Sequence, residues 1–102
     1  MVTDFKGNNF NEIISSGLFV VDFYADWCAP CKAMAPIVEE LSNEYSNIAT
    51  FLKVNVDFYM DICMEYRIQT IPRIYIFKDG EIKKMFIGVT EKQDIVNILN
   101  TL

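Results

Sequence analysis

At 102 residues the chain has the length of one domain, and with 52% hydrophobic and 14% aromatic residues it can build a core without structural cross-links. A formal charge of −5 argues against nucleic acid or an anionic membrane as partner. Asp4, Lys6, Gly7, Asn8 and Asn9 spoil any reading of the N-terminus as a secretion signal, and no apolar run approaches the roughly 18 residues of a membrane span. The expectation is a single domain over 1–102 in the cytoplasm, where thiols stay reduced.

In chain order, Val2–Phe5 reads as a short first strand. Asn9 and Glu12 have capping-box spacing for a short helix that Gly17 ends. Leu18–Tyr24 is β-branched and aromatic, interrupted only by Asp22, and predicts a buried strand. Met34, Ile37, Val38, Leu41 and Tyr45 then recur at helical spacing, which predicts a helix from about Cys28 to Tyr45. Pro36 lies inside it, lacks an N–H, and predicts a kink.

Ile48–Val56 reads as a third strand around Lys53, and Asp57 is placed to cap a helix lasting to about Tyr66. Ile71-Pro72 opens a fourth strand, Arg73–Phe77, with Pro72 at its start. Asp79-Gly80 is a two-residue hairpin signal into a fifth strand, Glu81–Ile87, which Gly88 breaks. Thr90 and Gln93 repeat the capping-box spacing ahead of a last helix with Ile95, Ile98, Leu99 and Leu102 as its apolar stripe. The order β-α-β-α-β-α-β-β-α makes the first three strands parallel and the last two an antiparallel hairpin. That is an α/β fold with a mixed central β-sheet flanked by helices on both faces.

The chemistry concentrates at Trp27-Cys28-Ala29-Pro30-Cys31-Lys32. Cys28 falls at the predicted helix start, where unpaired N–H groups and the helix dipole favour a thiolate, the nucleophile of disulfide exchange. Lys32 adds positive charge nearby and Asp26 opposes it. Pro30 sits in the first turn, where its missing N–H costs little, and stiffens the approach of the two sulfurs. Attack by Cys28 on a substrate disulfide makes a mixed disulfide, which Cys31, expected to lie deeper, resolves. A deeper thiol needs a base. Asp22 is the candidate, because burial raises a carboxyl pKa toward the useful range. Lys53 on the next strand is either its charge partner or a lysine reaching for solvent. Trp27, bulky and beside the nucleophile, reads as a shield or substrate contact. Cys63 reads as a small filler on a helix. With only that further cysteine and no histidine, the chain lacks the four ligands zinc prefers, so no metal is expected.

Asp22-Phe23-Tyr24-Ala25, Trp27-Cys28-Ala29-Pro30-Cys31-Lys32, Ala35-Pro36, Lys53-Val54-Asn55-Val56-Asp57, Ile71-Pro72, Phe77-Lys78-Asp79-Gly80 and Gly88 together resemble the thioredoxin family over nearly the whole chain. A lone Cys-X-X-Cys is a weak signal, whereas this ordered set is specific. The resemblance implies a thioredoxin fold and protein-disulfide reduction, with Cys28 attacking, Cys31 resolving, Asp22 as buried acid and Lys53 as its partner. It implies a cis peptide at Ile71-Pro72 packed against the disulfide, with the Ile71 backbone pairing to substrate. Trp27, Ala29, Pro30, Pro72, Arg73 and Gly88 would line the same surface. It also implies a monomer recharged by a thioredoxin reductase, acting on disulfide-containing target proteins, with no cofactor beyond the Cys28–Cys31 disulfide.

Four positions depart from the commonest family pattern: Ala29 for glycine, Tyr24 for tryptophan, the extra Cys63, and Arg73 for threonine. Arg73 is expected to add a long cation at the rim of the substrate groove. A disulfide oxidant or isomerase usually carries histidine between the cysteines and a secretion signal, and neither is found in this sequence. A binding module without turnover has no need of both cysteines.

Overall fold

Successive side chains of a strand point to opposite faces, so a strand with no polar face must find a core on both sides. The computed structural model describes residues 1–102 as β1 (Thr3–Asp4), α1 (Phe10–Ile13), β2 (Leu18–Tyr24), α2 (Ala29–Glu44), β3 (Thr50–Asn55), α3 (Met60–Glu65), β4 (Arg73–Lys78), β5 (Glu81–Ile87) and α4 (Lys92–Leu99). One five-stranded sheet runs in the order β1-β3-β2-β4-β5. β1 and β2 each pair parallel with β3, whereas β4 pairs antiparallel with both β2 and β5. This is the mixed α/β sheet that the element order predicts.

β2 lies at the centre and supplies both cores. Phe19, Val21 and Phe23 join Phe10, Ile14, Leu52, Val54, Tyr75 and Phe77 under α1 and α3. Val20 joins Met34, Val38, Leu41, Phe51, Ile74, Ile76, Ile95 and Leu99 under α2 and α4. Asp22 has the parity of Val20 and therefore belongs to the α2 face. The first core is largely aromatic: Phe10 meets Phe5, Tyr66 and Phe77 edge-on at centroid separations of 5.5, 5.5 and 5.9 Å.

The register aligns the active end of the sheet. Tyr24 pairs with Asn55, and Phe23 with Arg73. The chain leaving β2, the turn leaving β3 and the approach to β4 thus meet at one edge. At the other end, Asp79 and Gly80 turn the hairpin with φ of 50° and 83°, the left-handed pair a two-residue turn demands.

Two expected helix caps are absent. Asp57 does not cap α3, whose N-cap is Tyr59 without a side-chain bond; its carboxylate is taken by Trp27 instead. Thr90 and Gln93 form no capping box, because α4 starts after Glu91, the Thr90 hydroxyl donates to Gly88 O at 3.1 Å, and the Gln93 amide reaches Asn97 at 2.9 Å. Asn9 does cap α1, accepting from the Glu12 N–H at 3.2 Å. α2 continues through Pro36 to Glu44.

Leu41 is fully buried in the α2 core, whereas Met64 on α3 is 74% exposed. Leu41→Ala should destabilise by about 2–5 kcal/mol, and Met64→Ala by no more than about 0.5 kcal/mol. Urea unfolding of the two variants checks the contrast.

Candidate active site

A helix leaves its first N–H groups without partners. In α2 the Cys28 side chain takes one of them. Cys28 is the N-cap in extended backbone, φ −91° and ψ 107°, and its Sγ accepts the Cys31 N–H at 3.2 Å. Cys28 and Cys31 are joined as a disulfide with Cα atoms 5.2 Å apart, within the usual range. Pro30 lies in the first turn, as expected. The two cysteines differ little in burial, at 4% and 3% exposed. Cys31 is the more buried by that small margin, and the Cys31 N–H on Cys28 Sγ is what sets the two sulfurs apart.

Around the disulfide, Ala29 and Pro30 are exposed. Trp27 is 70% exposed, and its indole Nε1–H donates to Asp57 Oδ2 at 2.9 Å. An acid directly after a strand suits a helix cap equally well, so nothing in the sequence distinguishes this bond. Ile71 and Val56 pack against the cluster of Ala25, Cys28 and Cys31. The Ile71-Pro72 peptide is cis. Neither the N–H nor the C=O of Ile71 hydrogen-bonds within the chain, whereas Pro72 O accepts the Gly88 N–H at 2.9 Å. Gly88 has φ +86°, and a Cβ there would meet nothing within 4 Å. Its glycine answers a backbone dihedral and not a lack of space.

Asp22 is 5% exposed, and its Oδ1 has no hydrogen-bond partner. Burial raises its pKa from 3.8 to about 7, against a smaller lowering by the Lys53 charge. Asp22, Lys53 and Asp4 are register partners across β2, β3 and β1. The lysine thus sits between two acids. Its ammonium lies 3.6 Å from Asp4 and 5.7 Å from the centre of the Tyr24 ring. Lys53 acts on Asp22 through its charge, lowering the pKa, while its close ion pair is with Asp4: the exposed Asp4 lets the ammonium keep its water, and the buried carboxyl does not.

A family model described as Thioredoxin matches residues 1–101. The chain belongs to the thioredoxin family. It is 39% identical over 99 residues to a thioredoxin of Staphylococcus haemolyticus, covering 97% of this chain and 92% of that one. A thioredoxin of Chlamydia caviae is 35% identical over 100 residues, covering 98% and 97% of the two chains. Among solved structures, a mutant thioredoxin from Halobacterium salinarum superposes with a TM-score of 0.87 at 26% identity, covering 97% of this chain and 88% of that one. As a member of this family, the chain is a thiol–disulfide oxidoreductase that reduces protein disulfides.

Two of the departures from the commonest thioredoxin pattern are now placed. Arg73 is not a cation at a groove rim. It is 9% exposed, and its guanidinium donates to the Arg67 and Thr70 carbonyls and to the Thr70 and Tyr75 hydroxyls. The reason is parity: Arg73 shares the α3 face with Tyr75, so its side chain meets carbonyls of the segment that follows α3 before it reaches water. Cys63 is free and 7% exposed, its thiol 3.8 Å from Val56 O. Burial pushes the Cys63 thiol up, away from thiolate. No group of three or more side chains is arranged to hold a metal ion, and no helix is long and apolar enough to cross a membrane.

Because the folded pKa of Asp22 lies above its unfolded value, the folded chain binds that proton more tightly. Stability from this group is full below pH 3.8 and is lost as pH rises through about 7. Asp22→Asn should raise the melting temperature at pH 8, by a stabilisation of at most about 4 kcal/mol, with the gain vanishing by about pH 4. Thermal melts across pH read the effect; a variant less stable at pH 8 contradicts it. Cys63→Ser should leave the rate of insulin-disulfide reduction within about twofold of the parent, since a buried thiol with a raised pKa is little ionised.

Proposed function

We propose that Cys28 is the attacking thiol, Cys31 the resolving thiol and Asp22 the proton acceptor of this protein-disulfide reductase. The observation that carries the assignment is the Cys31 N–H donated to Cys28 Sγ at 3.2 Å. A helix N-terminus stabilises negative charge, so in the reduced protein Cys28 holds the thiolate. That thiolate attacks one sulfur of a target disulfide; the target S–S bond breaks, and the other target sulfur leaves as thiolate. Cys31 then gives its proton toward Asp22, attacks Cys28 Sγ and expels the second target thiolate. The target gains two electrons, and the protein ends as the Cys28–Cys31 disulfide. A carboxyl whose pKa is about 7 can accept and return a proton near neutral pH. Lys53 keeps that value from rising further.

The free N–H and C=O of Ile71 suit main-chain pairing with an extended target segment. Exposed Trp27, Ala29 and Pro30 and half-buried Gly88 frame the surface on which that segment lies, while Pro72 next to Ile71 is itself buried. The partners of this reading are disulfide-containing proteins and a thioredoxin reductase that returns the electrons, with the chain working as a one-domain monomer in the cytoplasm. The dithiol carries the electrons without a further cofactor.

Cys28→Ser should abolish insulin reduction. Cys31→Ser should accumulate mixed disulfides through Cys28, seen by mass spectrometry of trapped adducts. Adducts forming at equal speed on Cys31 in Cys28→Ser would reverse the roles. Asp22→Asn should slow release of the mixed disulfide by roughly 10²-fold at pH 7, with partial recovery in alkali; unaltered single-turnover release removes Asp22 as the base.

A further inference from the structure

Arg73 opens β4 beside the dithiol end, yet the exchange chemistry does not use it. A buried cation is costly unless its donors are filled, and Arg73 enters no ion pair. Neutral oxygens fill it instead. Nε donates to Thr70 O at 2.8 Å and Nη2 to the Thr70 hydroxyl at 3.2 Å. Nη1 donates to Arg67 O at 3.2 Å and to the Tyr75 hydroxyl at 3.3 Å. Four of the five guanidinium N–H groups are thereby engaged. The Tyr75 hydroxyl in turn donates to Tyr66 O at 3.0 Å.

These bonds converge on one stretch of backbone. α3 is closed by Arg67 at φ 57° and by the Ile68 N–H on Cys63 O at 2.8 Å. From Gln69 to Ile71 no N–H or C=O bonds to another backbone group. An unladdered segment is ordinarily the easiest part of a fold to open. Here the Arg73 side chain holds it, gripping Thr70 by carbonyl and hydroxyl one residue before Ile71.

We propose that Arg73 is a positioning residue for target binding: its guanidinium ties Thr70 to Arg67 so that the free N–H and C=O of Ile71 stand ready for an extended target backbone. The inference rests on the Ile71 pairing proposed above. A clamp of this kind acts on targets that present a peptide backbone and not on the sulfur chemistry itself. Lysine cannot replace it, because three donors on one nitrogen do not span the Arg67 and Thr70 carbonyls and the Thr70 hydroxyl together.

The test compares three disulfides reduced by the pre-reduced protein: a disulfide-linked peptide, the same peptide N-methylated beside its cysteine, and 5,5′-dithiobis(2-nitrobenzoate), which has no peptide backbone. The parent should reduce the N-methylated peptide about tenfold less efficiently than the plain one, the worth of a hydrogen-bonded contact. Arg73→Gln and Arg73→Lys should raise KM for the plain peptide by about the same factor, leave kcat and the aromatic disulfide within about twofold, and lose the N-methyl penalty. Tyr75→Phe keeps the ring in the core and removes only the hydroxyl shared by Arg73 and Tyr66. It should move the peptide KM the same way by about two- to threefold, and it decides the matter if the Arg73 variants do not fold. A parent indifferent to N-methylation overturns the Ile71 pairing itself. A full N-methyl penalty retained in the variants, or equal losses on all three disulfides, overturns the clamp alone.

Discussion

β2 is buried on both faces and bonded on both edges, parallel to β3 and antiparallel to β4. A strand so enclosed cannot slip by one residue without driving Phe19, Val21 and Phe23 into the wrong core. Its end point is therefore set by packing over its whole length. The few residues from Tyr24 to Cys28 have little freedom left, and the start of α2 is delivered to the sheet edge where Asn55 and Arg73 also lie. The dithiol chemistry depends on that delivery: a thiol is tuned by a helix N-terminus only if it stands at the N-cap, and Cys28 does.

The same enclosure creates the acid. Every other residue from Phe19 to Phe23 is apolar, and the one carboxyl among them loses water without gaining a hydrogen bond at Oδ1. The cost is paid in stability at neutral and alkaline pH. What it yields is a carboxyl whose pKa of about 7 lies far above that of an exposed aspartate, as the proposed proton acceptor requires. Lys53 tempers this from a distance because the exposed Asp4 competes for its ammonium.

On the opposite face the same strand alternation turns Arg73 inward. Two charged residues at the active end of the sheet, Asp22 and Arg73, thus lie buried on opposite faces, one without a partner for Oδ1 and one with its donors nearly filled. The unsatisfied group is the proposed proton acceptor, and the satisfied one the proposed clamp on the backbone. The surface between them carries Trp27, anchored by Asp57, and the unpaired backbone of Ile71.

Much of this was legible from the chain alone. Leu18–Tyr24 and Glu81–Ile87 coincide with β2 and β5, and Asp79-Gly80 makes its turn, because strand-forming residue types and positive-φ turns are decided by neighbours in sequence. Cys28 at the helix start and Asp22 in a buried strand follow from the same local patterns. What the sequence left undecided was the choice among partners. Asp57 suits a cap but is taken by Trp27; Thr90 suits a cap but bonds Gly88; Lys53 has an acid on either side; Arg73 has water or carbonyls within reach. Each of these polar side chains has several satisfactory partners of similar worth. Only the packing of distant elements, which sets which oxygen comes near and which stays hydrated, makes the selection.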